Sequence, residues 1–254
     1  MAGDQISRRL PETSTLQQIC DRMASDGYCL VPGSGTRVLL GAAYEPSLAD
    51  WNKFTSSWFS MPIDEHMADH GRYRRRRHAT LSMSPGSVTP KREAHRPHYQ
   101  SLDYNVLNGG VERLFEPIEI EVMTGDVMSN LLILCGRIVA ELEPDRQWHI
   151  EVHQFRIEVD DSGRGLPTPE GRHRDGVDFA IMVMVNLSHA AGGTTTISDA
   201  QGNVLDTFRL ADPLDMAIVD DRRVFHGVHP IERDGSGMPA YRDVLVVTFV
   251  RVSP

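Results

Sequence analysis

Apolar residues recur with two different periods along this chain, and the change from one to the other falls near residue 145. Before it the spacing is helical. Leu16, Ile19, Cys20 and Met23 share one face behind Ser14-Thr15, a natural N-cap, and Gly27 supplies a left-handed stop. A short strand is expected at 28–31. A second helix is predicted from about Pro46 through Leu48, Trp51, Phe54, Trp58 and Met61, ended by Pro62, with its aromatic stripe packed in the core. The strongest helical pattern covers 126–142, where Val127, Leu131, Cys135, Ile138, Val139 and Leu142 form a stripe and Pro144 follows.

Beyond 145 the period becomes two. Val152, Gln154 and Arg156 alternate with His153, Phe155 and Ile157, so Gln154 and Arg156 fall on the face opposite the apolar row. That face is solvent in a simple sandwich and interior in a barrel with a polar site. Residues 179–187 are almost continuously apolar, as in a strand covered on both sides. Shorter strands follow at 194–198, 214–219, 224–228 and 242–250, separated by turn residues. Helices first and many short strands afterwards predict an α+β fold: a double-stranded β-helix, that is, a jelly-roll or cupin-like barrel, backed by N-terminal and central helices. No linker or repeat divides the chain, so 1–254 reads as one domain with a helical part to about 145 and a barrel core from about 146.

Composition narrows the function classes. A net charge of −9 argues against general nucleic-acid binding, which needs a basic face. No apolar run is long enough for a membrane span, the start 1–9 is polar, and the three cysteines are scattered, which together point to the reducing cytoplasm. One segment runs against the acidic balance. Around Tyr73 stand Arg72, Arg74, Arg75, Arg76 and Arg77, either as a solvated basic strand or as one whose alternate arginines turn inward to grip an anion. His95 and His98 could share a metal but are read as surface histidines, because no carboxylate is paired with them in the sequence.

The stretch Gly171-Arg172-His173-Arg174-Asp175-Gly176 carries the sharpest chemistry. In extended backbone His173 and Asp175 point to one side and can share an ion. Among 11 histidines a chance His-x-Asp is unremarkable, so context must add weight. It comes from His226, inside a later apolar strand, which would complete a two-histidine, one-carboxylate facial triad of the kind that leaves open positions on Fe(II). His229, three residues on, faces the other way and precedes Pro230. Arg242 opens the last apolar strand and needs an anion there, either a neighbour such as Asp243 or Asp221 or a dicarboxylate such as 2-oxoglutarate.

Residues 167–176, Gly192-Gly193-Thr194, 221–228 and 242–245, with Tyr73-Arg74-Arg75-Arg76, Tyr99-Gln100-Ser101 and Asn108-Gly109-Gly110 upstream, resemble the bacterial L-isoleucine dioxygenase family. The resemblance implies an Fe(II)- and 2-oxoglutarate-dependent dioxygenase that uses O2 to hydroxylate an unactivated C–H of a free or N-modified L-amino acid. It implies His173, Asp175 and His226 as catalytic iron ligands and Arg242 as the 2-oxoglutarate anchor, with Arg174 pointing away. Substrate-binding candidates are Arg156, Arg74 and Arg76 for the carboxylate end, Gln154 on the same strand as Arg156, and Glu151, Glu158 or Asp178 for the ammonium. The expected partner is a small amino acid, without nucleic acid or membrane, and a homodimer is left open. The rival readings are a protein or peptide hydroxylase of the same fold and a non-enzymatic cupin-like binding module.

Overall fold

In the computed structural model the described residues are 9–41, 46–69, 71–105, 107, 109 to 252; the polar start before Arg9 and Asn108 lie outside them. The centre is a seven-stranded antiparallel sheet, in the order Tyr28–Val31, Met216–Asp220, Phe179–Ser188, Tyr241–Arg251, Trp148–Glu158, Arg74–Met83 and Lys91–Arg92. Opposite it lies a three-stranded sheet of Val204–Phe208, Thr195–Ser198 and Phe225–Val228. A second small sheet joins Arg164–Gly165, Ile231–Arg233 and Ala190–Gly192.

Period-two alternation gives the large sheet two unlike faces. Leu81, Ile150, Val152, Ile181, Val183, Leu245, Val247 and Phe249 point one way and form a single core with the helices. Helix Asp126–Leu142 supplies Val127, Leu131, Cys135 and Ile138 to it, and helix Leu16–Asp26 adds Ile19 and Met23. The opposite face, with Met182 and Val244 near Ile197 of the small sheet, bounds a cavity of about 530 Å3.

Both long helical patterns form as expected. Thr15 makes a reciprocal capping box with Gln18, and Gly27 ends the first helix at φ 77. The predicted 46–61 helix is shorter, covering only Leu48–Ser56. Hydroxyls of Thr55, Ser56 and Ser57 donate to carbonyls of the last turn, competing with its continuation, and Trp58 reaches the core from the turn that follows. Helix Gly33–Leu40, short and opening on Gly33-Ser34-Gly35, reads as a turn in the sequence. None of the helices described is long and apolar enough to cross a membrane.

Gln154 and Arg156 face the helices, away from the cavity. The Gln154 amide donates to Ser57 Oγ at 2.8 Å. Arg156 makes two 2.7 Å bonds to Asp243, its direct cross-strand neighbour, and stacks over the Phe59 and Tyr241 rings at 3.9 and 4.1 Å. Burial pushes the Asp243 carboxyl up to about 6 while Arg156 pulls it back. The Arg156–Asp243 pair and the Gln154–Ser57 bond are structural, and they correct the sequence-based assignment of Gln154 and Arg156 to the substrate site.

A buried pair loses most when one member is left alone. Arg156→Met or Asp243→Leu is expected to cost about 3–5 kcal/mol each in urea unfolding, whereas the double replacement should recover much of that loss. Additive losses in the double variant would show that the two do not act as a pair.

Candidate functional site

Two backbone hydrogen bonds tie the loop carrying His173 to the strand carrying His226, from each N–H to the other's carbonyl at 2.8 and 3.0 Å. The bridge sets the two imidazoles side by side, with ring centroids 4.4 Å apart. Asp175 then reaches both: its carboxylate oxygens lie 3.5 Å from His173 Nε2 and 3.5 Å from His226 Nε2. All three donor atoms fall within 4.8 Å of one another, close enough to hold one metal ion. His229 points elsewhere, its Nε2 3.4 Å from Thr196 Oγ1.

Neighbouring groups fix the donors. His173 Nδ1 lies 3.0 Å from the Gly171 carbonyl, which can only accept, so the ring proton sits on Nδ1 and Nε2 keeps its lone pair for a metal. Asp221 accepts from the N–H groups of Asp175, Gly176 and Val177 at 2.9, 2.8 and 3.2 Å, clamping the loop from behind. Gly176 sits at φ 81 with the Tyr104 ring where a Cβ would be, 2.5 Å away, so no side chain fits there. Gln100 donates to the Asp175 carbonyl at 3.1 Å.

The electrostatics of the cluster suit a cation. Against the effect of burial, Asp175 and Glu170 raise His173 to about 9. Burial and the neighbouring His173 lower His226 to about 4. Although burial opposes it, the histidines hold Asp175 below the usual carboxylate range. A divalent ion would satisfy both imidazoles and the carboxylate at once. Two nitrogens and one oxygen on one side of an ion match the donor set of a non-haem Fe(II) site.

Arg242 borders the same cavity and is 6% exposed. Its possible protein partners are occupied, Asp243 by Arg156 and Asp221 by backbone N–H groups. Among the described residues it forms no ion pair, its Nε has no hydrogen-bond partner, and burial lowers it to about 10. A buried guanidinium in this condition is a ready site for a carboxylate.

The arginine strand resolves by parity. Arg74 and Arg76 line the cavity, Arg75 pairs with Glu158, and Arg77 pairs with Glu119. Arg74 is already neutralised by Asp64 at 2.6 Å. Arg76 lies between the Phe115 and Phe155 rings, 3.9 and 4.6 Å from their centroids, and donates to His153 Nδ1 at 3.0 Å. Of the proposed ammonium partners, Glu158 is taken by Arg75, and Asp178 lies near Arg222 and Arg251 at 3.3 and 2.9 Å, so only Glu151 lines the cavity.

His98 is buried rather than on the surface, its Nδ1 2.7 Å from Glu151, because the short strand His98–Tyr99 folds over the sheet. His78, His98, Glu151 and His153 form a second cluster with metal-ligand spacing. A guanidinium has no acceptor, so His153 Nδ1 must accept from Arg76, and its proton sits on Nε2, facing Glu151 at 3.7 Å. This nitrogen is therefore not available to an ion. The arrangement is a carboxylate ringed by imidazoles: burial opposes it, but the 2.7 Å hydrogen bond to His98 and the nearby His78 and His153 rings, at 3.3 and 3.7 Å, hold Glu151 far below its ordinary range, and burial lowers His98 to about 4.

Sequence reasoning missed Arg113, which is 1% exposed and lines the cavity from the two-residue strand Glu112–Arg113. Its Nη2 donates to Gln100 Oε1 at 3.0 Å. No periodic pattern surrounds it, and in sequence it reads as a loop arginine.

A family model described as 2OG-Fe dioxygenase matches residues 55–248. The chain is 26% identical over 156 residues to the L-isoleucine-4-hydroxylase of Bacillus thuringiensis, covering 60% of this chain and 64% of that protein. It is 22% identical over 244 residues to the 3(1)-hydroxy-L-isoleucine 4-dioxygenase of Pantoea ananatis, covering 92% and 96%. The crystal structure of a bsmA homologue from Methylobium petroleophilum superposes with a TM-score of 0.83 at 34% identity, covering 95% of this chain and 94% of that one.

Removing the clamp behind the loop should loosen the metal cluster without touching a donor atom. Asp221→Ala is expected to weaken divalent-cation binding by roughly 10–100-fold, read by anaerobic calorimetry with Fe(II). Unchanged affinity would show that the loop holds its position without Asp221.

Proposed function

As the chain belongs to the 2OG-Fe dioxygenase family, its chemistry draws on Fe(II), 2-oxoglutarate and O2, and we propose that it hydroxylates an unactivated C–H bond of a free L-amino acid. In this reading His173, Asp175 and His226 hold Fe(II), and Arg242 holds the far carboxylate of 2-oxoglutarate. In the same reading the two opposed antiparallel sheets form a double-stranded β-helix, and the described residues make one domain whose helical part backs the barrel. The observation that carries the proposal is one cavity bounded by a metal-spaced His-Asp-His cluster, an unpaired Arg242 and further buried arginines. The isoleucine substrates named for the two relatives support the choice of an amino acid.

When bound, the iron with 2-oxoglutarate and O2 supplies the oxidant that turns C–H into C–OH, with 2-oxoglutarate leaving as succinate and CO2. The chain's residues do the rest. The Gly171 carbonyl keeps His173 in the tautomer that presents Nε2. Arg242 would fix the far carboxylate of 2-oxoglutarate through a two-pronged hydrogen bond. Met182, Val244 and Val246 give the cavity an apolar wall that limits water and accepts an aliphatic side chain. Which carbon reacts follows from which one the pocket holds nearest the metal.

Mass spectrometry of an amino-acid panel incubated with protein, Fe(II), ascorbate and 2-oxoglutarate should show one member gaining a single oxygen, with matching succinate. Turnover stimulated by a peptide and by no free or N-modified amino acid would replace this reading with a protein hydroxylase. No Fe(II)-dependent succinate at all would leave a binding module. Asp175→Ala should abolish Fe(II) binding and turnover together. Arg242→Met should raise the KM for 2-oxoglutarate by on the order of 100-fold, the loss typical of truncating a buried charge pair, while Fe(II) binding stays nearly intact. Equal loss of both would point to a folding defect.

A further inference from the structure

Among the described residues, Arg76, Arg113 and Glu170 line the cavity with their side chains largely buried and have no partner of opposite charge once the family's cofactors are accounted for. Arg76 and Arg113 are 4% and 1% exposed, and neither forms an ion pair among the described residues. Each spends Nη2 on a neutral acceptor, His153 Nδ1 and Gln100 Oε1 respectively, and each Nε is buried without a partner. Both guanidiniums approach the same ring, Phe115, at 3.9 and 5.8 Å. Two like charges gathered at one aromatic side chain call for an anion.

The third is Glu170. Its side chain is 11% exposed, it lines the cavity, and Oε2 is buried without a hydrogen bond. Oε1 lies 3.6 Å from His173 Nε2, the atom that would bind iron. With that nitrogen committed to a metal, Glu170 has no cationic partner of its own. Glu151 is different, being already surrounded by three imidazoles.

We propose that these residues form a subsite for a zwitterion, Arg76 and Arg113 receiving the α-carboxylate and Glu170 the α-ammonium of a free amino acid. The assignment rests on the amino-acid reading above and sharpens it: a residue within a peptide, or one with a blocked amine, lacks a charge the site requires. A rigid clamp for both charges also fixes how the aliphatic side chain approaches the metal. His153 acts through Arg76, holding its fork between the two phenyl rings.

Calorimetry under nitrogen, with the protein loaded with Fe(II) and 2-oxoglutarate so that no turnover occurs, tests this with ligands before variants. L-isoleucine should bind roughly 10–100-fold more tightly than L-isoleucinamide or N-acetyl-L-isoleucine, the loss expected for one charged hydrogen-bond partner. Glu170→Gln should weaken L-isoleucine similarly, leave 2-hydroxy-3-methylpentanoate unaffected, and retain Fe(II). Arg113→Met should weaken both ligands. Binding of L-isoleucine that ignores loss of either charge overturns the subsite and leaves the amino-acid reading standing, as does loss of Fe(II) from Glu170→Gln. No binding by any free L-amino acid of the panel to the loaded protein overturns the amino-acid reading, and the subsite with it.

Discussion

The pair of backbone hydrogen bonds between His173 and His226 is the constraint on which the site depends, because it joins a loop to a strand at the two residues whose side chains must meet. A side-chain contact alone would leave the loop free to move away from the sheet. With the backbone paired, the imidazoles are set 4.4 Å apart, and Asp175, two residues along the loop, arrives at both. Asp221 completes the restraint by taking three consecutive N–H groups that the turn leaves without partners. Four residues thereby convert an irregular loop into a rigid wall of the cavity.

Much of this was legible in the sequence because it follows from periodicity. A period of 3.6 marks helix Asp126–Leu142, and a period of two marks strands Trp148–Glu158 and Tyr241–Arg251. The same alternation lets only one of His226 and His229 join the pair, the apolar strand around His226 and the Pro230 after His229 favour His226, and the structure brings His226 beside His173 and Asp175. Alternation also shows which residues share a face, but not which face looks inward. On strand Trp148–Glu158 the row with His153 and Phe155 turns to the cavity, and the row with Gln154 and Arg156 packs under helices. Polarity suggested the reverse, since a strand residue bonded to a helix-side partner reads the same as one reserved for a ligand.

Arg113 and Glu170 were illegible for another reason. Neither lies in a periodic segment; one is in a two-residue strand and the other in a turn. Burial of Arg113 comes from tertiary closure of the paired short strands His98–Tyr99 and Glu112–Arg113 over the sheet, which local spacing does not encode. The same closure buries His98 and brings Gln100 between Arg113 and the Asp175 carbonyl.

Buried charge then separates structural from functional arginines. Arg156 and Arg242 stand in similar apolar strands, and in sequence each simply needs an anion. Register decides between them: Asp243 lies directly opposite Arg156 and on the same face, so that pair closes within the protein. Arg242 precedes Asp243 by one residue and therefore points to the other face, where no carboxylate of the described chain reaches it. A one-residue step along a strand thus turns one aspartate into a structural partner for Arg156 and leaves its neighbour Arg242 open to the cavity.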